Sequence, residues 1–536
     1  MAIGQLDLAA RPVVEPASDA SRLRTAFWAF VVAHVIVWTL VPLVSCPNAA
    51  LDSVEMVYWG REWQLGYSKH PPLVAWLSAA VVSFTGPSPW GLYLAAQLTV
   101  AVCFWCAWRL GNEVAGPRIA LAGVAALEGS FFLTFESTVL NNNLGLYPFW
   151  ALAILSFYWA LKRQQLRYWL ATGLWVGCGL LCKYSMAVLP LVFAAFLLAN
   201  SAARRAWRTP GPYLAALTAA ATFGPHLWWA YELGFPTLKW AASRTHGAAT
   251  LVGQLVAPVA FAFSEMLSLV LVLLVALPIV GFRPRLRSLP PDRRWDRDFL
   301  LAMTLGPFAS LVLLSLLANV QFRGMHGSHL WPFVGLVWLW TLNAQPTTAQ
   351  LRNSLRVAGL VGAVICVAFV VRSTGSAYLI GKASRERFPG AQLASEVERI
   401  WRERYDCPLT VVGGDCWLAG NIAFYSGDRP RVHLQECSWI DREEFLRHGG
   451  VLVWNATEWG DETIPSYYAD LSPICVLPAV SLPQQTGAKV PEARIGLAII
   501  PPPAGGARGD LARDRRPAVA RPRVAERLEL PGVKLR

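Results

Sequence analysis

The stretch Thr25–Ser45 reads TAFWAFVVAHVIVWTLVPLVS and contains no Asp, Glu, Lys or Arg. A helix needs about 20 mostly apolar residues to cross the hydrocarbon core of a bilayer, and this run is long enough to span rather than to be removed as a signal peptide. Ten similar runs follow it, at 89–109, 117–137, 144–161, 168–182, 184–200, 212–231, 251–281, 298–318, 329–343 and 354–372. The pattern predicts a mainly α, polytopic membrane protein with about eleven transmembrane helices.

The composition agrees with a membrane protein. Of the 536 residues, 55% are hydrophobic and 15% are charged, whereas about 25% of the residues of a soluble protein are charged. This excludes a disordered chain and disfavours a single soluble enzyme. The net charge of +13 would suggest nucleic acid for a soluble protein. Here the Arg clusters lie in loops between apolar runs, as positive-inside topology requires, so we expect no nucleic-acid partner.

Loop charge also orients the chain. With residues 1–24 as a cytoplasmic N-terminal segment, four Arg-rich loops lie in the cytoplasm, at 109–118, 162–167, 204–208 and 283–297. The chain after residue 372 then lies outside. The apolar segment 71–86 opens with Pro-Pro and ends at Gly-Pro. A full crossing there would invert the loops that follow and violate the charge pattern, so we expect an interfacial or re-entrant helix.

The chain changes character after the membrane part, 25–372, whose first periplasmic loop is 46–88. Strand-like and helical stretches alternate from residue 373, which predicts a periplasmic α/β domain over 373–500. The strand-like stretches are 409–413 and 450–454, and the helical ones are 391–405 and 441–448. Residues 501–536 are rich in Pro, Gly, Ala and Arg, which predicts a disordered basic tail. The cysteines of the domain permit disulfides in three connectivities or remain free thiols: Cys407, Cys416, Cys437 and Cys475.

The first external loop carries the densest mixture of charged and aromatic residues. It reads LDSVEMVYWGREWQLGYSKHPPLVAW over residues 51–76. If 52–63 is helical, Asp52 and Glu55 lie one turn apart on the same face. A solvated amphipathic helix with interfacial Trp anchors explains the same composition. The Pro-Pro pair stops the preceding helix, which favours a shaped site over a plain linker.

This loop resembles the first periplasmic loop of bacterial glycosyltransferases of family 39. The resemblance lies in Glu55, in Tyr58-Trp59 and in Gly66-Tyr67-x-x-His70-Pro71-Pro72-Leu73-x-x-Trp76. That family has the C-type glycosyltransferase membrane fold and includes protein O-mannosyltransferases, aminoarabinose transferases of lipid A and rhizobial galacturonosyltransferases. The resemblance continues to about residue 500, through weaker likenesses at Asn141–Asn143, Gly179–Tyr184, Phe235–Trp240 and Arg323–Pro332.

The resemblance implies a transferase in the bacterial inner membrane whose donor is a polyprenyl-phosphate-linked sugar. The acceptor is lipid A or core oligosaccharide, another glycan or a protein, and it attacks the anomeric carbon on the periplasmic side with inversion. A loop carboxylate activates the acceptor hydroxyl by taking its proton, and the lipid-phosphate leaving group needs cationic donors. Membrane lipids are the other partners. The sequence names neither the sugar nor the acceptor.

The family places an Asp-Glu pair directly before the aromatic stretch, whereas Val54 occupies the Asp position here. We expect Asp52 to be the base, with Glu55 as runner-up or as a ligand of a metal or the acceptor. Lys69 replaces an acid that is implicated in metal binding in some relatives. This argues against a divalent metal, for which Asp52 and Glu55 remain the candidate ligands, and no cofactor is assigned.

The remaining expected site residues form two groups. The donor phosphate or lipid is expected to contact Lys69, His70, Lys183, Tyr184 and Arg323. The acceptor or sugar is expected to contact Tyr58, Arg61, Tyr67, Asn142, His326 and His329. Plainer explanations stay open: Lys183 could snorkel to the interface, the histidines could belong to a solvated loop, and the asparagines could cap a helix.

Two other functions remain alternatives. A transporter or flippase for lipid-linked sugars, without transferase activity, also needs intramembrane charges and lipid-phosphate contacts, and a non-catalytic receptor could carry a sugar-binding external domain. Transporters often show internal repeats, which inspection does not find here. The carboxylate-rich first loop and the large external domain favour the enzyme. From its position alone, we expect the external domain to select the acceptor.

Overall fold

A computed structural model describes residues 17–244, 247–281, 293–342, 344–375, 378, 381, 384–435, 439–461, 464–484 and 490–503. Most of the described chain is helical. The helices of the membrane part are α1 (Ala17–Ser45), α2 (Leu51–Gly60), α3 (Leu73–Thr85), α4 (Pro89–Val114), α5 (Pro117–Ala126), α6 (Asn142–Arg163), α7 (Leu166–Cys182), α8 (Val188–Ala199), α9 (Gly211–Glu232), α10 (Pro236–Arg244), α11 (Leu251–Ser268), α12 (Val270–Val280), α13 (Arg294–Leu317), α14 (Val334–Thr341) and α15 (Thr348–Val370).

Each of the eleven predicted apolar runs coincides with one or two of these helices. Among the described residues, six helices are long and apolar enough to cross a membrane, and a pair bent by 86°, Pro117–Gly129 with Phe131–Thr138, would make a seventh. Four apolar helices are shorter, among them α7 and α12. The predicted mainly α, polytopic fold is confirmed. Several of the predicted crossings consist of short or broken helices rather than of uninterrupted spans.

Small residues let the helices approach closely. A Cβ atom on Gly173 of α7 would lie 2.2 Å from the backbone oxygen of Ala215 in α9, and one on Gly335 of α14 would lie 2.2 Å from the backbone oxygen of Gly123 in α5. Such contacts are typical of membrane helix pairs, because apolar side chains gain little by leaving lipid and close backbone packing must supply the attraction instead.

Helix α3 begins and ends at the same end of the bundle. Its start packs on α2, where a Cβ on Gly60 would lie 1.9 Å from the Ala75 oxygen. Its last residue, Thr85, contacts Gly91 at the start of α4, and Tyr93 in the next turn lies near enough to Tyr425 to interact electrostatically. The interfacial position of 71–86 stays a prediction.

The C-terminal domain is built on a five-stranded sheet with the order β2-β1-β3-β5-β4. Strands β1, β2 and β3 are parallel, and β5 pairs antiparallel with β3 and β4. Its elements are α16 (Gly390–Arg402), β1 (Val411–Gly414), α17 (Cys416–Tyr425), β2 (Arg431–His433), α18 (Glu444–His448), β3 (Gly450–Asn455), α19 (Ala456–Trp459), β4 (Cys475–Leu482) and β5 (Ala493–Ile500). The predicted α/β fold of this region is therefore confirmed.

The predictions for the cysteines and for the two ends of the chain fall partly on residues that the structure does not describe. Cys407 and Cys475 are free thiols, so no disulfide joins either of them to the other or to Cys416. Cys437 lies outside the described residues, as do residues 1–16 and the tail from 504 onward. Helix α1 begins at Ala17, before the apolar run itself.

Candidate active site

Helix α2 lies between the helical bundle and the C-terminal domain, and it carries the two predicted carboxylates. Ala50 precedes it and supplies no side-chain cap. Glu55 is buried, with 7% of its surface exposed, and its Oε1 accepts a hydrogen bond from the Lys69 ammonium at 2.6 Å. The same ammonium lies 5.6 Å from the centre of the Trp59 ring. Glu55 and Lys69 therefore form a largely buried ion pair.

Asp52 is one turn earlier on α2 and has different surroundings. It is exposed, and its Oδ2 accepts a hydrogen bond from Asn141 Nδ2 at 3.3 Å. Glu136 lies near enough to interact with it electrostatically. Asn141 also caps α6, because its Oδ1 accepts the backbone N–H groups of residues 143 and 144. The cap thus presents the amide of Asn141 to Asp52.

Cationic and histidine side chains gather beside the Glu55–Lys69 pair. Lys183 follows the last residue of α7 and donates a short hydrogen bond to Asn143 Oδ1. The pKa of His70 is lowered to about 3, chiefly by burial and in addition by the positive charges of Lys183 and Lys69. Burial and then Lys183 lower the pKa of His326 to about 4. Both imidazoles are therefore neutral near pH 7. Lys183 lies near both of them, so the first external loop and the loop before α14 come together beside it.

The loop before α14 completes this group. Arg323 is exposed, and its backbone N–H donates to His326 Nδ1 at 2.9 Å. His329 is buried with its ring against Trp150, at 4.5 Å between centroids, and neither ring nitrogen has a hydrogen-bond partner among the described residues. We call the three cations Lys69, Lys183 and Arg323, together with the neighbouring His70, His326 and His329, the cationic cluster. Among the described residues, Lys183 and Arg323 have no carboxylate partner.

Tyr184 takes part in a different contact, which fixes the first loop. Its hydroxyl is 2.7 Å from His226 Nε2, while His226 Nδ1 is 2.7 Å from the Leu65 oxygen. A carbonyl oxygen only accepts, so Nδ1 carries the proton and Tyr184 donates to Nε2. Thr237 donates to the Tyr67 oxygen at 2.9 Å. The segment after α2 is therefore held by α9 and α10.

The structure places four predicted acceptor or sugar contacts in packing roles. Tyr58 packs against Gly420 of the C-terminal domain, and Arg61 donates to the Ala423 oxygen at 2.7 Å. Tyr67 is fully buried, stacked on Trp59. Asn142 contacts the Met56 sulfur at 3.2 Å. Within the described part of the chain, Arg61, Tyr67 and Asn142 make these contacts outside the cationic cluster.

Sequence reasoning missed Glu265, a fully buried residue on α11. Its Oε2 accepts a hydrogen bond from the Trp331 indole at 2.7 Å, and its Oε1 has no hydrogen-bond partner among the described residues. A Cβ on Gly327 would lie 2.5 Å from this carboxyl group. Glu265 therefore supports the loop that carries Arg323, His326 and His329. A lone glutamate within the apolar run 251–281 was the available signal.

A divalent metal does not fit the donors around Glu55. The Lys69 ammonium occupies the hydrogen-bonding position beside that carboxylate, and a cation there repels a second one. Within the described ranges, no three His, Cys, Asp or Glu side chains are grouped so as to hold a metal ion. The Lys69 ammonium itself supplies a positive charge beside Glu55.

Comparison with known proteins gives one family match and several relatives. Residues 69–229 match the family described as dolichyl-phosphate-mannose-protein mannosyltransferase. The lipopolysaccharide core galacturonosyltransferase RgtA of Rhizobium johnstonii is 26% identical, over 75% of this chain and 80% of its own length. RgtB of that organism, with the same description, is 26% identical over 84% and 91%. The lipid A galacturonosyltransferase RgtD is 28% identical, over 40% and 46%.

A solved structure shares the fold. The crystal structure of ArnT from Cupriavidus metallidurans bound to undecaprenyl phosphate matches with a TM-score of 0.60, over 91% of this chain and 99% of that one, at 12% identity. At this identity the likeness concerns the fold alone. The resemblance to family 39 and the C-type glycosyltransferase membrane fold are confirmed, and the relatives support a glycosyltransferase activity.

Proposed function

We propose that this chain, a membrane glycosyltransferase with the C-type fold, transfers a uronic acid sugar from a polyprenyl-phosphate donor to lipid A or core oligosaccharide. The reaction takes place at the periplasmic face of the bacterial inner membrane, where the active site and the C-terminal domain lie. The names of the three relatives support a uronic acid and a lipopolysaccharide acceptor. The solved neighbour that binds undecaprenyl phosphate supports the lipid carrier.

The cationic cluster is the observation that carries this proposal. Lys183 is half-buried and has no carboxylate partner among the described residues, although an unpaired charge is costly at such a place. The exposed Arg323 also has no carboxylate partner there. A uronic acid on a polyprenyl phosphate offers two anionic groups, the phosphate and the sugar carboxylate. Lys183 and the neutral His70 bind the phosphate, while Arg323 and His326 bind the carboxylate. A neutral sugar would leave the Arg323 guanidinium without an anionic ligand.

Asp52 acts as the general base in this mechanism. A hydroxyl is a weak nucleophile, and a carboxylate that accepts its proton during attack accelerates the reaction by about 10²–10⁴-fold. Asp52 is exposed, and among the described residues it accepts one hydrogen bond, from the Asn141 amide, so it remains open to an acceptor. Glu55 is less available to an acceptor, because the Lys69 ammonium occupies its Oε1.

The lipid phosphate leaves as the acceptor oxygen bonds to the anomeric carbon, with inversion. Negative charge grows on the phosphate as the bond to the sugar breaks, and fixed cationic donors stabilise that charge. Lys183 supplies this stabilisation, with its ammonium oriented by Asn143. Lys69 adds a second positive charge that Glu55 holds in place.

The test uses the purified full-length protein with an undecaprenyl-phosphate-linked galacturonic acid and isolated lipid A or core oligosaccharide. We expect sugar transfer in the wild type, a loss of about 10²–10⁴-fold in kcat for Asp52→Asn, and a smaller loss for Glu55→Gln. We also expect the rate of sugar transfer to be unchanged when EDTA removes divalent metal ions. The absence of transfer from any uronic acid donor, or full activity of D52N, would contradict the proposal.

The same purified protein and the same variant also distinguish a transferase from a transporter of lipid-linked sugars. Such a protein would move the donor across a proteoliposome membrane without forming a glycosylated acceptor, and Asp52→Asn would leave that movement unchanged. Mass spectrometry of lipid A and core oligosaccharide from a deletion strain would then identify the acceptor, as the species that lacks the uronic acid.

A further inference from the structure

The C-terminal domain contacts α2 along its length. In α17, Gly420 has no side chain where α2 packs: a Cβ there would lie 3.1 Å from Val54 Cγ1 and 3.2 Å from Tyr58 Cε1. Both of these residues are buried. A glycine at this position lets the two helices approach, so the face of α2 that carries Val54 and Tyr58 is covered by the C-terminal domain.

The end of α2 is fixed to the domain by charges. Arg431 of β2 donates to the Glu62 carboxylate from Nε at 3.0 Å and from Nη2 at 2.6 Å. Its Nη1 donates to both oxygens of Glu444, each at 2.6 Å. Arg61 reaches the Ala423 oxygen of α17 in addition. One guanidinium therefore joins two carboxylates, one from each side of the interface, with the planar geometry that Arg favours.

The start of α2 is also fixed to the domain. The Asn48 backbone N–H donates to the Glu386 oxygen at 3.0 Å, and the Ala49 N–H donates to the Tyr425 hydroxyl at 3.0 Å. Helix α2 has 10 residues and no side-chain cap at its start. Isolated helices shorter than about 12–15 residues are marginal in water. Its order therefore depends on packing, in which these contacts add to the contacts of α2 with α3 and with the Leu140 oxygen.

We infer that the C-terminal domain positions α2 for catalysis, and that Arg431 is the positioning residue that transmits this order to Asp52 and Glu55. The inference rests on the proposed function, because it takes α2 as the helix that carries the base. It adds a role to the domain beyond acceptor selection: the domain keeps the carboxylates in register with the cationic cluster, and its loosening lowers the rate even when the donor binds normally.

The experiment compares Arg431→Met, Arg431→Lys and a matched control, Arg494→Met. Arg494 lies in β5 of the same domain and pairs with Asp461, away from α2. In Arg431→Met the Glu62 and Glu444 carboxylates face each other without a cation. We expect faster hydrogen exchange confined to residues 48–63 and a kcat at least tenfold lower. The binding of undecaprenyl phosphate, the sugar-free lipid, should change less than twofold.

The conservative variant and the control separate positioning from general damage. Arg431→Lys keeps one charge but not the bidentate geometry, so we expect a partial recovery of kcat. Arg494→Met should match the wild type in exchange and in kcat. Wild-type exchange over 48–63 with wild-type kcat in R431M would overturn the inference, as would equal losses in R431M and R494M.

A second variant covers the case in which R431M does not fold. Gly420→Val acts on the other contact, by pushing Val54 and Tyr58 away, and should also raise exchange over 48–63. Unchanged exchange in this variant would count against the inference. The exchange measurement needs no sugar donor, so it stays informative if the proposed transfer reaction itself is not found.

Discussion

Two lysines at opposite ends of the helical bundle differ in what surrounds them. Lys162 lies in the last turn of α6, where its ammonium is 2.7 Å from the buried Asp296 carboxylate and 4.5 Å from the centre of the Trp295 ring. Lys183 follows the last residue of α7, at the other end, and bonds to the neutral amide of Asn143. Both are placed where an apolar helix ends, but only Lys162 has a carboxylate partner among the described residues.

The difference teaches how to tell a structural cation from a functional one. A half-buried ammonium without a carboxylate is costly to the fold, and this cost is relieved when an external anion supplies the missing charge. Lys162 fastens α6 to α13. Among the described residues, Lys183 pairs with no carboxylate of another helix, and it lies near enough to His70 and His326 to lower their pKa values. The following predictions test this distinction.

The largest expected effect on activity is that of Lys183→Met. Removing one partner of a desolvated charge pair costs about 2–5 kcal/mol of binding, so we expect kcat/KM for the donor to fall at least about 30-fold, with little change in the melting temperature. Lys162→Met is the matched control. It should lose about 3–5 kcal/mol of stability, because Asp296 is left without a cation, while the folded fraction keeps normal kcat/KM. A loss of stability without a loss of kcat/KM in Lys183→Met, together with a loss of kcat/KM in folded Lys162→Met, would contradict this distinction.

Arg323→Gln tests the second unpaired cation. We expect about a tenfold loss of kcat/KM with the uronic acid donor, because one charged hydrogen bond to the sugar carboxylate is removed. The loss should be about twofold or less with a donor that carries the corresponding neutral hexose. Equal losses with the two donors would show that Arg323 serves the phosphate, which both donors share.

Glu265→Ala tests the support of the loop that carries Arg323. We expect the donor KM to rise about fivefold with kcat nearly unchanged, because the loop loses the hydrogen bond between Trp331 and the Glu265 carboxylate. Glu265→Gln keeps an acceptor for the indole and should recover most of the affinity. Val259→Ala, at an exposed position of the same helix, is the control. An unchanged KM in E265A would exclude this role.

The smallest expected effect concerns pH. The pKa of His70 in the folded protein, about 3, lies below its ordinary value of about 6.5. Below about pH 6.5 the unfolded chain therefore binds a proton at His70, whereas the folded chain does not. The stability that His70 contributes above this pH is lost as the pH falls toward 3. His70→Gln does not titrate. Between pH 7 and pH 5 it should lose less in melting temperature than the wild type, and equal losses would contradict the neutral His70.

Much of the fold followed from patterns that are local in the chain. Each apolar run became helix, because about 20 apolar residues in lipid must satisfy their own backbone hydrogen bonds. The alternation of strand-like and helical stretches after residue 373 indicated the α/β domain in the same way. Helix breaks were harder to predict, since the bend near Ser130 between α5 and the following turns depends on packing as much as on composition.

The candidate site could be predicted only in part. Asp52 and Glu55 share a face of α2 through helical spacing, and Lys183 stood out as a charge between apolar runs. The sequence could not indicate that Glu55 pairs with Lys69 or that Tyr58 and Arg61 pack on the C-terminal domain, because those contacts depend on how separate elements dock. Glu265 was overlooked because a lone acid in an apolar run does not reveal its partner.

The sequence by itself determined the membrane helices, the α/β domain and the residues of the first loop, because hydropathy and periodicity act over a few turns of chain. Only the tertiary structure decided which charges meet. Arg431 and Glu62 are separated by 369 residues, and Lys183 influences the pKa values of His70 and His326, which lie in two other loops. Such pairings arise from the packing of whole elements, for which the local sequence carries no signal.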